Sequence, residues 1–120
     1  MNKNKVELVI KEQKTIFALG LGYIGELLEN TGFEIDSLVD KINSNPFKYA
    51  PIMMFESLNY SKVRYGQPNP FTSVGELMDW LDENGSIQNE QLMKFLEAFT
   101  KSLTKDVPKS NAKPKTTKKK

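Results

Sequence analysis

Apolar and polar positions alternate from residue 5 to residue 19. Val6, Leu8 and Ile10 alternate with Glu7 and Val9, and Thr15, Ile16 and Phe17 follow the polar stretch Lys11-Glu12-Gln13-Lys14. A period of two with this β-branched content predicts a short β-hairpin. The period then changes. Tyr23, Ile24, Leu27 and Leu28 fall on one helical stripe and predict a first helix over 21–31, with Gly32 as the residue that ends it in the left-handed region. Ile35, Leu38, Val39 and Ile42 stand at i, i+3, i+4 and i+7, which predicts a second helix over about 34–43. Asn45-Pro46 is a helix start, since Asn caps and Pro suits the first helical position. The helix that follows carries Phe47, Ala50, Met54, Phe55 and Leu58 on one side. Pro51 removes a donor from it and is expected to kink it or restart it near Ala50.

Gly66-Gln67-Pro68-Asn69-Pro70 reads as a loop. Ser73-Val74-Gly75-Glu76 has the form of a capping box. Val74, Leu77, Met78 and Leu81 repeat the helical spacing, and Gly85 stops that helix. Ile87, Leu92, Phe95, Leu96, Phe99 and Leu103 place a last helix over about 87–103. All of these stripes are expected to be buried. The fold class is therefore α+β and mostly helical: an N-terminal β-hairpin followed by about five short helices in one small globular domain, 1–104.

Composition adds limits. In 120 residues with 38% apolar content there is material for one modest core. No run of 18 apolar residues predicts a membrane span. The basic N-terminus is followed by an apolar stretch that Lys11, Glu12 and Lys14 interrupt, so no signal peptide is expected. Cys and His are both absent, which removes disulfides, thiolate ligands and the commonest acid–base and metal-binding side chain. The net charge of +2 conceals an asymmetry: residues 105–120 hold seven Lys and one Asp, so the preceding 104 residues are net acidic. With one large apolar residue, Val107, and two prolines, that lysine-rich tail is expected to be disordered and dispensable for folding.

Candidate chemistry is sparse. Asp82-Glu83-Asn84-Gly85-Ser86-Ile87 has the centre of a calcium loop, but the two ends of the cage would be Trp80 and Gln91, so a glycine stop between two helices explains it better. The carboxylate pairs Glu26/Glu29 and Asp79/Asp82/Glu83 have the spacing of a solvated helix face, with no nucleophile–base pair beside them. Gly20-Leu21-Gly22-Tyr23-Ile24-Gly25 satisfies the dinucleotide fingerprint literally, yet only helices are expected to follow it, and a tight strand-to-helix turn is the better reading. No catalytic, metal or cofactor site is expected. Two interaction surfaces are. Tyr65, Phe71 and Trp80 flank one loop region, and Trp80 lies off the stripe of its own helix, so the three form either an exposed aromatic patch for a partner or a second packing face. The lysines of the tail, Lys113, Lys115, Lys118, Lys119 and Lys120 among them, could bind phosphate backbone weakly and without sequence preference, or serve as a solubilising or partner-facing extension.

The order of elements carries a resemblance. A short hairpin leads into Thr15–Gly32, whose helix bears acidic residues and ends in Thr31-Gly32, and the chain closes on the acidic-helix, glycine, helix unit of Ser73–Leu103. This arrangement over about 15–103 resembles the small tail assembly chaperones of long-tailed phages and gene transfer agents. The segment Pro46–Pro70 and the lysine tail depart from it. The resemblance implies a non-enzymatic role in the host cytoplasm, away from membranes: binding a tape-measure or tail tube protein during tail morphogenesis. A structural tail component, or a nucleic-acid-binding accessory acting through the basic tail, is the alternative.

Overall fold

A computed structural model describes residues 4–104 of the chain. The expected disorder of the tail, and its lysines Lys113, Lys115, Lys118, Lys119 and Lys120, lie outside the described residues.

Strands β1 (Lys5–Ile10) and β2 (Gln13–Ala18) pair antiparallel, from Lys5 opposite Ala18 to Ile10 opposite Gln13. The connection is shorter than the expected four residues. Lys11 and Glu12 alone make it, at φ 53° and 68°. A two-residue hairpin turn needs positive φ to match the twist of the strands, and non-glycine residues are strained there. Lys11 is held in place: its Nζ donates to the Pro70 carbonyl at 2.9 Å and lies 4.7 Å from the Phe71 ring centroid. The register turns Leu8, Ile10, Thr15 and Phe17 into the core and leaves Glu7, Val9 and Lys14 outside.

Among the described residues five α-helices follow: α1 (Leu21–Thr31), α2 (Leu38–Ser44), α3 (Pro46–Tyr65), α4 (Val74–Glu83) and α5 (Glu90–Thr104). The mostly helical α+β architecture with its leading hairpin is thus the one the periodicity predicts. Gly20, at φ 95° and ψ −177°, turns the chain from β2 into α1 in a region essentially reserved for glycine. A Cβ on Gly22 would collide with the Tyr60 hydroxyl, so this glycine lets α1 and α3 approach. The glycine triplet is a turn and a close helix contact, and the sheet beside it has two antiparallel strands among the described residues.

Helix α3 lies along the outer edge of β2 and satisfies it with side chains. Ser61 Oγ accepts from Ala18 N at 3.0 Å and donates to Ile16 O at 2.8 Å, and Ser57 Oγ donates to Ala18 O at 2.7 Å. The Gln67 amide takes both backbone groups of Ile16, at 2.7 and 2.9 Å, as a neighbouring strand would. A buried edge needs such partners, which accounts for two fully buried serines in the middle of an apolar helix face.

The core sits between the hairpin and the helices. Phe17, Phe95, Phe99 and Tyr23 form a chain of ring contacts at 5.6, 5.8 and 6.2 Å, and the buried Tyr23 hydroxyl donates to Met53 O at 2.7 Å. Leu27, Leu38, Met53, Met54, Leu58, Leu77 and Leu81 pack around them.

Four expectations are corrected. The second helix begins with a 3₁₀ turn, Ile35–Ser37, at the edge of the fold, and Ile35, expected on the buried stripe, is 53% exposed. Of the kink or restart expected at Pro51, the restart does not occur: α3 is one helix from Pro46 to Tyr65. The only bond the proline forfeits is to the carbonyl of Phe47, a residue open to solvent in the first turn. The last helix starts at Glu90, since Asn89 interposes: its Oδ1 accepts from Leu92 N at 2.9 Å and its Nδ2 donates to Asn84 O at 2.6 Å. Finally, Phe47, Met78 and Ile87, placed on buried stripes by their spacing, are 43%, 38% and 57% exposed.

Candidate partner-binding groove

Those three exposed residues converge. Phe47 and Pro51 from α3, Met78, Leu81 and Asp82 from α4, Ser86 and Ile87 from the 3₁₀ turn Ser86–Gln88, and Leu92 from α5 line one cleft of about 90 Å³. Each element is positioned by a local device. Helix α4 starts at Ser73, whose Oγ accepts from Glu76 N at 3.1 Å. The reciprocal half of the expected capping box shifts by one residue: the Glu76 carboxylate accepts from Thr72 N at 2.6 Å and from Thr72 Oγ1 at 3.0 Å. Those two hydrogen bonds hold the Glu76 carboxyl below its usual pKa, the backbone one contributing most. Leu77 and Leu81 face the core from α4, which leaves Met78 at the margin of the stripe. At the other end, the Asn84–Asn89 hydrogen bond and the left-handed Gly85, at φ 108°, close the tight turn that holds Ile87 outward.

A cleft of this size is well below the roughly 300 Å³ at which small-molecule and cofactor sites begin. It has room for about one large side chain. Its rim of aromatic, thioether and branched aliphatic groups is an exposed apolar patch, the kind of feature that marks a protein contact. Met78 adds adaptability, because its unbranched side chain repacks around different shapes.

A second, wider concavity of about 570 Å³ lies on the other side of α4, between Val9, Lys11 and Glu12 of the hairpin, Trp80 and Asn84, and Asn89, Glu90 and Gln91. Trp80, two positions from Met78, points there. The aromatic trio expected from the sequence is not one patch. Phe71 is 3% exposed and lies under Trp80, with ring centroids 6.0 Å apart. Tyr65 sits beneath Lys5, at 5.0 Å, by the open end of the hairpin, whereas Phe71 sits beneath Lys11 at its turn. The structure therefore brings Phe71 and Trp80 together and sets Tyr65 apart. Phe47, Met78 and Ile87 escaped the sequence reading because each completes a helical period. The signal available was proximity to chain breaks: Phe47 follows Pro46, and Ile87 comes two residues after Gly85.

The calcium-like segment is spent on turn formation. Asp82 Oδ1 accepts from Ser86 Oγ at 3.3 Å, and Asn84 Nδ2 donates to Trp80 O at 2.8 Å. Among the described residues, no group of three or more His, Cys, Asp or Glu is placed to hold a metal ion. Among them, too, no helix is long and apolar enough to cross a membrane. Fold and groove together define an α+β, mostly helical domain with a small open apolar cleft. Comparison with protein-family models, curated proteins and solved structures finds no match to this chain.

Proposed function

We propose that this protein is a non-enzymatic chaperone of phage tail assembly, which holds a tape-measure or tail tube protein in the host cytoplasm until the tail forms. The observation that carries the reading is the groove rimmed by Phe47, Met78 and Ile87. A long helical client exposes amphipathic segments before assembly, and a shallow apolar groove between short helices shields such segments one anchor at a time. The order of hairpin and helices, on which the resemblance to tail assembly chaperones rests, supports the same role.

The test is co-expression with tail proteins encoded beside this chain, followed by affinity purification. A large helical tail protein should co-purify with the wild type. The triple variant Phe47→Ser, Met78→Ser and Ile87→Ser should lose it while keeping its circular dichroism spectrum. Trp80→Ala distinguishes the two faces of α4: loss of the client there, with the fold kept, moves the contact to the wider concavity. Presence of the chain at fixed stoichiometry in purified virions makes it a structural tail component instead. Retention of DNA in a salt-sensitive manner, lost on removal of residues 105–120, makes it a nucleic-acid-binding accessory.

A further inference from the structure

Resting on the groove reading above, we infer the chemistry of the occupant: a basic amphipathic segment of a partner protein, presenting one large apolar side chain flanked by lysine or arginine.

The cleft itself sets the first half of this. With about 90 Å³ of space and an apolar floor, it admits one leucine-, methionine- or phenylalanine-sized group, while Phe47, Met78 and Ile87 around its mouth cover the apolar positions on either side. Charge complementarity sets the second half. The charged residue in the lining is Asp82, one helical turn beyond Met78 on α4. Asp79 and Glu83 are outside the lining: Asp79 stands three residues before Asp82 on the exposed side of α4, and Glu83 lies further round, away from the cleft. Among the described residues no Lys or Arg lines the cleft, and these three carboxylates enter none of the ion pairs, which join Lys94 to Glu90 and Lys101 to Glu97. The cations nearest in sequence to Phe47 are engaged with rings: Lys48 lies 5.3 Å from the Tyr49 centroid, and Lys41 lies 4.9 Å from Phe33 and 5.1 Å from Tyr49. Among the described residues, the groove therefore carries Asp82, with Asp79 beside it, as negative charge that no ion pair engages at the edge of an apolar slot. A client with acidic flanks would meet like charge there, so that edge selects as well as attracts.

The experiment uses the full chain and two labelled synthetic peptides with the same apolar positions, one flanked by lysines and the other by glutamates, followed by fluorescence anisotropy. The lysine peptide should bind roughly tenfold tighter at low salt, the sum of a few exposed charge pairs, and the advantage should shrink as salt rises. Asp79→Asn with Asp82→Asn should remove most of it. The seven lysines of residues 105–120 bias the full chain toward the glutamate peptide, so a lysine preference is read against an opposing background. Met78→Ser and Ile87→Ser should weaken both peptides alike. A lysine-to-glutamate affinity ratio that Asp79→Asn with Asp82→Asn leaves unchanged, in a protein whose groove variants still lose binding, would overturn the basic occupant and leave the groove standing. Failure of both peptides to bind, or binding indifferent to Met78 and Ile87, would overturn the groove reading and this inference with it.

Discussion

Tyr23 concentrates the physics of this core in one side chain. Its ring touches Phe99, its hydroxyl donates to Met53 O, and it is completely buried. Burial raises the pKa of the phenol well above its ordinary 10.0, and the nearby Glu56 carboxylate adds to the effect. A raised folded-state pKa means that the folded protein holds the proton more tightly than the unfolded chain. The resulting stability is fully present below pH 10 and is lost as pH rises above it. Denaturation midpoints should therefore fall above pH 10, and Tyr23→Phe, which cannot ionise, should show a shallower fall. At neutral pH the same variant should lose about 1 kcal/mol, the net worth of one buried hydrogen bond. Equal alkaline slopes for the two proteins would show that Tyr23 does not govern the transition. Gly20 is a second residue without substitutes. At φ 95° and ψ −177°, with a Cβ placed 2.9 Å from that of Asn4, Gly20→Ala should cost about 1–3 kcal/mol in urea denaturation. Gly25, where an added Cβ meets open space, should tolerate alanine far better.

At the scale of elements, the hairpin and α3 stabilise each other through polar groups rather than apolar area alone. An isolated two-stranded hairpin is marginal in water. Here α3 and the loop after it act as a third strand made of side chains, since Ser57 and Ser61 of the helix and Gln67 of the loop satisfy the edge of β2. Ser61 both accepts and donates, so Ser61→Ala leaves Ala18 N–H buried without its partner. That should cost about 1–3 kcal/mol, more than the loss of one exposed hydrogen bond. Hydrogen exchange should locate the damage, with faster exchange at Ala18 and unchanged protection in α5. A uniform loss across the domain would mean that the edge contact is not local. Helix α4 is the other element with a double duty. Its inward stripe of Leu77 and Leu81 builds the core, while Met78 and Asp82 build the groove and Trp80 faces the second concavity.

Across the whole molecule, core and groove are made from the same residue types, and only measurement of both properties separates them. Leu38 is fully buried and Leu81 nearly so. Leu38→Ala should cost roughly 2–5 kcal/mol, as should Leu81→Ala. Phe47→Ser and Ile87→Ser should each change stability by about 0.5 kcal/mol or less, while reducing partner capture. A large stability loss at Phe47 or Ile87 would place them in the core after all. Much of this layout was legible in advance. The alternation at Val6–Ile10 and the stripes through Tyr23, Leu38, Leu77 and Phe95 specify the hairpin, the helices and most of the buried positions, because a period of two or of 3.6 repeats along a single element and needs no knowledge of its neighbours. The turn glycines Gly20 and Gly32 and the cap at Ser73 are local in the same way. What only the tertiary structure decided is how far each stripe is covered. Periodicity gives Met78 and Leu81 the same rank, and Phe47 the same rank as Ala50. Whether another helix lies over them depends on crossing positions set by residues far away in sequence. The 3₁₀ turn that throws Ile87 outward depends on Asn89 reaching back to Asn84, and the hydrophilic serines on α3 become intelligible only when the edge of β2 lies against them. The groove exists for that reason: it is formed where apolar stripes extend past the neighbours that would have buried them, and the lengths of those neighbours are a property of the assembled fold.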